Sequence, residues 1–154
     1  MKKKIGSCYN SGIIYIKPEY KEGIGDVTRV TTKTNSIVFN KSIQSTIKNI
    51  ARFLFFDLDE SKRYYKELLG KGKNLPLVFD EDNIFICVKS RIPNKRNDGA
   101  MTYINPKYIK EHTCGKIALT NGETLKVLCS DQTIKRQIRD TVFIQRDLLY
   151  LYQF

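Results

Sequence analysis

Between residues 39 and 43 the spacing of apolar residues changes, and that change restricts the fold more than any other feature of the chain. Upstream, Ile13, Ile14, Tyr15 and Ile16, then Val27, Thr28, Val30, Thr31 and Thr32, then Ile37, Val38 and Phe39 form short runs separated by Pro18, Gly23, Gly25 and Asn35. Runs of β-branched and aromatic residues between turn formers read as short strands. Downstream, Ser42 can cap a helix in which Ile43, Ile47, Ile50, Ala51 and Leu54 recur at three- and four-residue spacing and share one face. Asp57 or Asp59 can cap a second helix through Tyr64, Tyr65, Leu68 and Leu69, which Gly70 and Gly72 end. Neither an all-α nor an all-β fold accommodates both periods.

The strand pattern then returns. Leu75 to Phe79 and Ile84 to Val88 are β-type runs joined by Asp80-Glu81-Asp82-Asn83, a hairpin with a four-residue loop. Lys116 to Thr120 and Glu123 to Leu128 flank Asn121-Gly122, the pair preferred in a type I′ turn. Ser130 or Asp131 caps a last helix with Ile134, Ile138 and Val142 on one face, and the aromatic end around Leu148, Leu149, Leu151 and Tyr152 is expected to pack on the core, with packing on another chain as the alternative. The expectation is an α+β fold of mainly antiparallel strands, with two central helices and a C-terminal helix. With 154 residues, 1–154 form a single domain large enough to bury a core without a metal or disulfide framework.

Charge bounds the partners. The chain carries 27 Lys plus Arg against 16 Asp plus Glu, a formal charge of +11. A field of one sign attracts polyanions, nucleic acid first among them. No apolar run approaches the roughly 20 residues that span a bilayer, and Gly6, Ser7, Asn10, Ser11 and Gly12 interrupt any signal-peptide core behind Lys2, Lys3 and Lys4. A cytoplasmic protein without a membrane partner is expected. Cys8, Cys87, Cys114 and Cys129 form no CxxC pair and read as reduced, partly buried thiols.

The excess charge is uneven. Lys89 to Lys110 holds Lys89, Arg91, Lys95, Arg96, Lys107 and Lys110 against the single acid Asp98, mixed with Pro93, Asn94, Asn97, Gly99, Asn105 and Pro106. Cations among turn formers between two apolar runs describe an exposed loop on a strand scaffold. A second cluster, Lys62, Arg63, Lys66, Lys71 and Lys73, has Asp57, Asp59, Glu60 and Glu67 nearby and reads as a solvated helix face. Enzyme signatures are missing from the sequence. His112 is the one histidine, and no GxSxG elbow, phosphate loop, GxGxxG or HExxH is present. The acidic turn Asp80-Glu81-Asp82 lacks calcium-loop spacing and reads as a solvated turn. No enzyme, metal or cofactor is expected.

Three stretches in order resemble the ComK family, the competence transcription factors of low-GC Gram-positive bacteria. Ile50-Ala51-Arg52-Phe53 stands where that family has a Ser-Cys-Arg-Phe type motif. Leu77-Val78-Phe79 and Asn83-Ile84-Phe85-Ile86 lead into Ser90-Arg91-Ile92-Pro93, similar to its apolar hairpin and following loop. Tyr103-Ile104-Asn105-Pro106-Lys107-Tyr108-Ile109 and Leu119-Thr120-Asn121-Gly122-Glu123-Thr124-Leu125 are similar to its Trp-Ile segment and Asn-Gly hairpin. Tyr103 replaces the Trp, Ala51 the Cys, and Asp57 to Ser61 a Gly/Ser-rich stretch. The resemblance implies a transcriptional activator that reads AT-rich double-stranded DNA through the minor groove, controls DNA-uptake genes, and has a homo-oligomer on DNA and RNA polymerase as partners. On that reading Arg91 and Arg96 enter the groove, while Lys89, Lys95, Asn97, Lys107, Tyr108 and Lys110 hold phosphates and sugars. The alternatives are an RNA-binding domain stacking bases on Tyr15, Tyr103 and Tyr108, and a module for an acidic protein.

Overall fold

The computed structural model describes residues 2–153. Its elements run α1 (Lys2–Ser11), β1 (Ile13–Lys21), β2 (Gly25–Thr32), β3 (Ser36–Phe39), α2 (Ile43–Phe53), α3 (Leu58–Leu69), β4 (Leu77–Asp80), β5 (Asn83–Lys89), β6 (Met101–Ile104), a 3-10 turn (Pro106–Tyr108), β7 (Ile109–Thr113), β8 (Lys116–Leu119), β9 (Thr124–Lys126) and α4 (Asp131–Leu151). Six strands form one sheet in the order β3-β2-β1-β6-β5-β4, and β7-β8-β9 form a second. Every described pairing is antiparallel. The fold is α+β, with both central helices and the C-terminal helix where the periodicity places them.

Side-chain alternation along β5 divides the interior. Phe85 joins Ile5, Ile16, Val30, Ile47 and Ile50 beneath α1 and α2, whereas Ile86 and Val88 join Ile104, Ile117, Leu125 and Ile134 beneath the small sheet and α4. Tyr65, Val78, Ile84 and Ile144 form a third cluster where α3 meets α4. The caps are those the sequence offers. Ser42, Asp57 and Ser130 accept from the backbone N–H three residues on, and Gly70 closes α3 in the left-handed conformation.

Several expectations fail locally, each for a tertiary reason. Residues 2–11, to which the sequence reading assigned no element, form a helix; a Cβ on Gly6 would lie 2.9 Å from the Phe53 ring, so Gly6 lets α1 approach α2. β1 runs through Pro18, because β6 pairs with β1 only at Tyr15 and Ile16 and leaves an edge beyond them. The β4–β5 loop has two residues, not four, since Asp80 pairs with Asn83. Asp80 is half-buried. Its carboxylate accepts from the Asp82 and Asn83 backbone N–H groups at 2.8 and 2.9 Å, from the Asn83 amide, and from the Tyr9 hydroxyl. The type I′ turn is at Cys114-Gly115, whose φ values are +49° and +77°. At Asn121-Gly122 only Gly122 is left-handed, following a turn closed by its N–H to the Leu119 carbonyl at 3.1 Å.

The buried face of α4 is also shifted. Ile134, Gln137, Thr141 and Ile144 are buried and Val142 is exposed. Gln137 belongs inside because both ends of its carboxamide are bonded: Oε1 accepts the Cys87 N–H at 3.1 Å and Nε2 donates to the Asn74 carbonyl at 2.7 Å. β4 pairs with β5 no further than Leu77 opposite Phe85, so the Gln137 amide takes the place of the peptide that would have continued the ladder. Leu148 packs on the third cluster, but Leu149, Leu151 and Tyr152 are exposed, contrary to the expectation that this end packs on the core.

Candidate nucleic-acid interface

Residues 90–100 connect β5 to β6 and stand beside the β1–β2 turn. The loop is closed at its base by Ser90 N–H to the Ala100 carbonyl at 2.9 Å and by Thr102 Oγ1 to Ser90 Oγ at 2.7 Å. Gly99 permits its return past α2, since a Cβ there would lie 2.6 Å from Ile43 Cγ2. Arg91, read from sequence as a groove-inserting cation, is instead part of this base. Its side chain is 12% exposed, its Nη2 donates to Asp26 Oδ1 at 2.6 Å, and its Nε donates to the Gly99 carbonyl at 2.7 Å. The guanidinium stacks 4.0 Å from the centre of the Tyr20 ring. Tyr20 in turn donates to Asp98 Oδ2 and accepts the Asn94 N–H, both at 2.7 Å.

These contacts sort the loop's charges. Asp26 and Asp98, the acids nearest the loop, are engaged with Arg91 and Tyr20. Lys95, Arg96 and Asn97 are exposed at the tip, beyond the turn formed by Asp98 N–H to the Lys95 carbonyl at 3.1 Å. Among the described residues Lys89, Lys95 and Arg96 make no ion pair. Beside them is Ile92, 77% exposed, which the sequence reading passed over. Its signal was an apolar residue inside a run of cations and turn formers.

The other sequence candidates are elsewhere. Lys107 and Tyr108 lie beyond Ile104, at the opposite end of β6, and Lys110 is exposed on β7. The length of β6 alone separates this group from the loop by roughly 10 Å at about 3.3 Å per residue. Lys89 is with the loop, at the end of β5, where its carbonyl accepts the Leu128 N–H at 2.7 Å. The far group recruits a cation the sequence did not nominate. Lys33 Nζ stands 6.0 Å and Lys107 Nζ 5.5 Å from the centre of the Tyr108 ring. Buried Asn105 holds this corner, accepting the Lys107 N–H at 3.2 Å and donating to the Asp82 carbonyl at 2.9 Å.

Stacking platforms for single-stranded RNA are fewer than the sequence offered. Tyr15 is buried with its hydroxyl on Glu123 at 2.8 Å, and Tyr103 packs on the first cluster beside Cys87. Only Tyr108 of the three presents a ring near free cations. Of the basic helix cluster, Lys62, Arg63 and Lys66 are exposed on α3, Arg63 pairs with Glu60 at 3.1 Å and Lys71 with Asp140 at 2.7 Å.

His112 is half-buried, its Nδ1 3.0 Å from Asp131 Oδ1, while Asp131 Oδ2 accepts the Cys114 N–H at 3.2 Å. The His112 hydrogen bond, then that of Cys114, holds the Asp131 carboxyl below its ordinary range. The pair fastens the β7–β8 turn to the first turn of α4. Burial pushes the Cys87 thiol up to about 11, which keeps it protonated and unreactive at neutral pH. Among the described residues, no group of three or more metal-ligating side chains occurs and no helix is long and apolar enough to cross a membrane. Comparison with protein-family models, curated proteins and solved structures finds no match to this chain.

Proposed function

We propose that the chain is a DNA-binding transcriptional regulator that reads AT-rich duplex through the minor groove with the tip of the loop at residues 90–100. The observation that carries this reading is the sorting of charge within the loop. The acids are committed to a brace at its base, and two cations, an amide and an apolar side chain are left at its tip. A narrow A-tract groove has a deepened negative potential, and a thin loop enters it where a helix does not fit. Arg96 is the groove-entering side chain, with Lys95 and Asn97 on the flanking phosphates and sugars. Ile92 is placed as an apolar wedge against a base step. Arg91 acts as a positioning residue that fixes the loop's exit from the sheet. Activation by oligomers on paired sites, with RNA polymerase as partner and DNA-uptake genes as output, follows from the likeness to the ComK family.

Selection of bound duplexes from a random pool at physiological salt tests the reading. Enrichment of AT-rich boxes supports it, provided that Lys95→Ala with Arg96→Ala removes the enrichment. No enrichment, or tighter binding to single-stranded RNA than to any duplex, replaces it with the RNA alternative.

A further inference from the structure

The connection between α2 and α3 carries a residue that neither the fold nor the DNA reading uses. α2 ends in a Schellman motif, with Leu54 as its C-cap, the Phe55 N–H donating to the Arg52 carbonyl at 3.2 Å and the Phe56 N–H to the Ala51 carbonyl at 2.9 Å. The residue after the cap in this motif is left-handed and is usually glycine. Here it is Phe55, at φ +51° and 95% exposed. Phe56 does the packing instead, edge-on to Phe79 at 5.6 Å. A phenylalanine that strains its backbone and buries nothing weakens the monomer twice over, so its reason lies outside the monomer.

The surroundings of Phe55 indicate what meets it. An open groove of about 650 Å³ runs beside it, and at Phe56 and Asp57 this joins an apolar groove of about 400 Å³ between α3 and the end of α4. Tyr65, Val78 and Phe79 form the buried floor of the second groove, and Tyr64, Leu151 and Tyr152 its exposed rim. A projecting ring and an apolar groove thus adjoin on one surface, as an isologous contact requires. Charge matches in the same way. Lys48 and Arg52 stand beside Asp57 and Asp59, and none of these four is in an ion pair among the described residues. A balanced patch offers a polyanion little attraction, whereas a two-fold axis sets the cations of one copy against the anions of the other.

We propose that two copies of this chain dock through this surface, the Phe55 ring of each seated in the α3–α4 groove of the other. The proposal gives a surface to the oligomers of the DNA reading without resting on its loop contacts, and association measured without DNA separates the two. Copies of a +11 chain repel one another, and screening relieves that repulsion while it weakens both phosphate binding and the charge pairs across the axis.

Sedimentation velocity on the full chain, up to about 200 μM in about 0.5 M salt, is expected to show a monomer–dimer equilibrium. Phe55→Gly should weaken the dimer by at least about tenfold. Its thermal midpoint, read at low protein concentration, should hold or rise, because glycine suits the left-handed position; a purely structural Phe55 would lower it. Arg52→Glu and Asp59→Lys should each weaken association, and mixing the two variants should restore it, since each cation then faces an anion again. A wild-type chain that stays monomeric overturns the proposal, as does a Phe55→Gly chain that dimerises as tightly. Loss of duplex bending in Phe55→Gly with association unchanged also overturns it and makes the ring a DNA wedge.

Discussion

The two ends of the six-stranded sheet hold similar numbers of cations and treat them differently. At the loop end a remote acid, Asp26 on β2, draws Arg91 into the scaffold and leaves Lys95 and Arg96 at the tip. At the far end neutral amide contacts of Asn105 fix the corner, and Lys33 and Lys107 flank the Tyr108 ring. A basic segment in sequence is therefore not a basic surface. Which of its charges remain available depends on acids that the fold brings from elsewhere.

The comparison breaks most visibly at Arg91. Arg91→Ala strands the Asp26 carboxylate and removes the stack on Tyr20, and should cost about 2–4 kcal/mol in urea unfolding. Arg91→Lys should recover only part of this, because a point charge cannot bond Asp26 and Gly99 and stack at once. Loss of AT preference in Arg91→Ala with an unchanged unfolding midpoint would return Arg91 to the groove.

Lys95→Ala with Arg96→Ala should do the opposite, leaving stability within about 0.5 kcal/mol while removing about 1–3 kcal/mol of discrimination between AT-rich and GC-rich duplex. Salt dependence then sharpens the contrast between the ends. If Lys89, Lys95 and Arg96 alone neutralise DNA charge, log K falls with log salt at a slope near −3; with Lys33, Lys107 and Lys110 added, it approaches −5. Lys107→Gln should lower the slope by about 1 only in the second case.

The smallest effect concerns acid. Burial would raise the Asp80 carboxyl, but the hydrogen bonds from Tyr9, Asn83 and the backbone N–H groups of Asp82 and Asn83 together outweigh it and hold it below its ordinary range. A carboxyl depressed by folding stabilises fully above its unfolded pKa of about 3.9, and that contribution fades as pH falls through the folded value. Asp80→Asn should therefore flatten the decline in stability below about pH 4 while leaving DNA affinity at neutral pH unchanged.

Local signals carried much of the fold. Ser42, Asp57, Ser130 and Gly70 act where their chemistry places them, and β1 to β5 follow their apolar runs. What escaped depends on distant contacts. Gly6 is a helix breaker until Phe53 lies against it, and Gln137 is a surface residue until the end of β4 exposes the Cys87 N–H. The segment Lys89 to Lys110 was legible as basic, but only residues 90–100 of it are the expected exposed loop, since β6 and the turn at Pro106–Tyr108 occupy most of the rest. The inward turn of Arg91 was not legible, because Asp26 is 65 residues away in the chain.

The Gln137 carboxamide also carries a kinetic consequence. By bonding both Cys87 on β5 and Asn74 before β4, it makes the departure of α4 inseparable from exposure of a central-strand amide. In a hydrogen-exchange experiment α4 should thus not fray independently of the sheet from Gln137 onward towards Ile134. The Cys87 amide should exchange with the helix as one opening unit, and Gln137→Leu should split that unit in two.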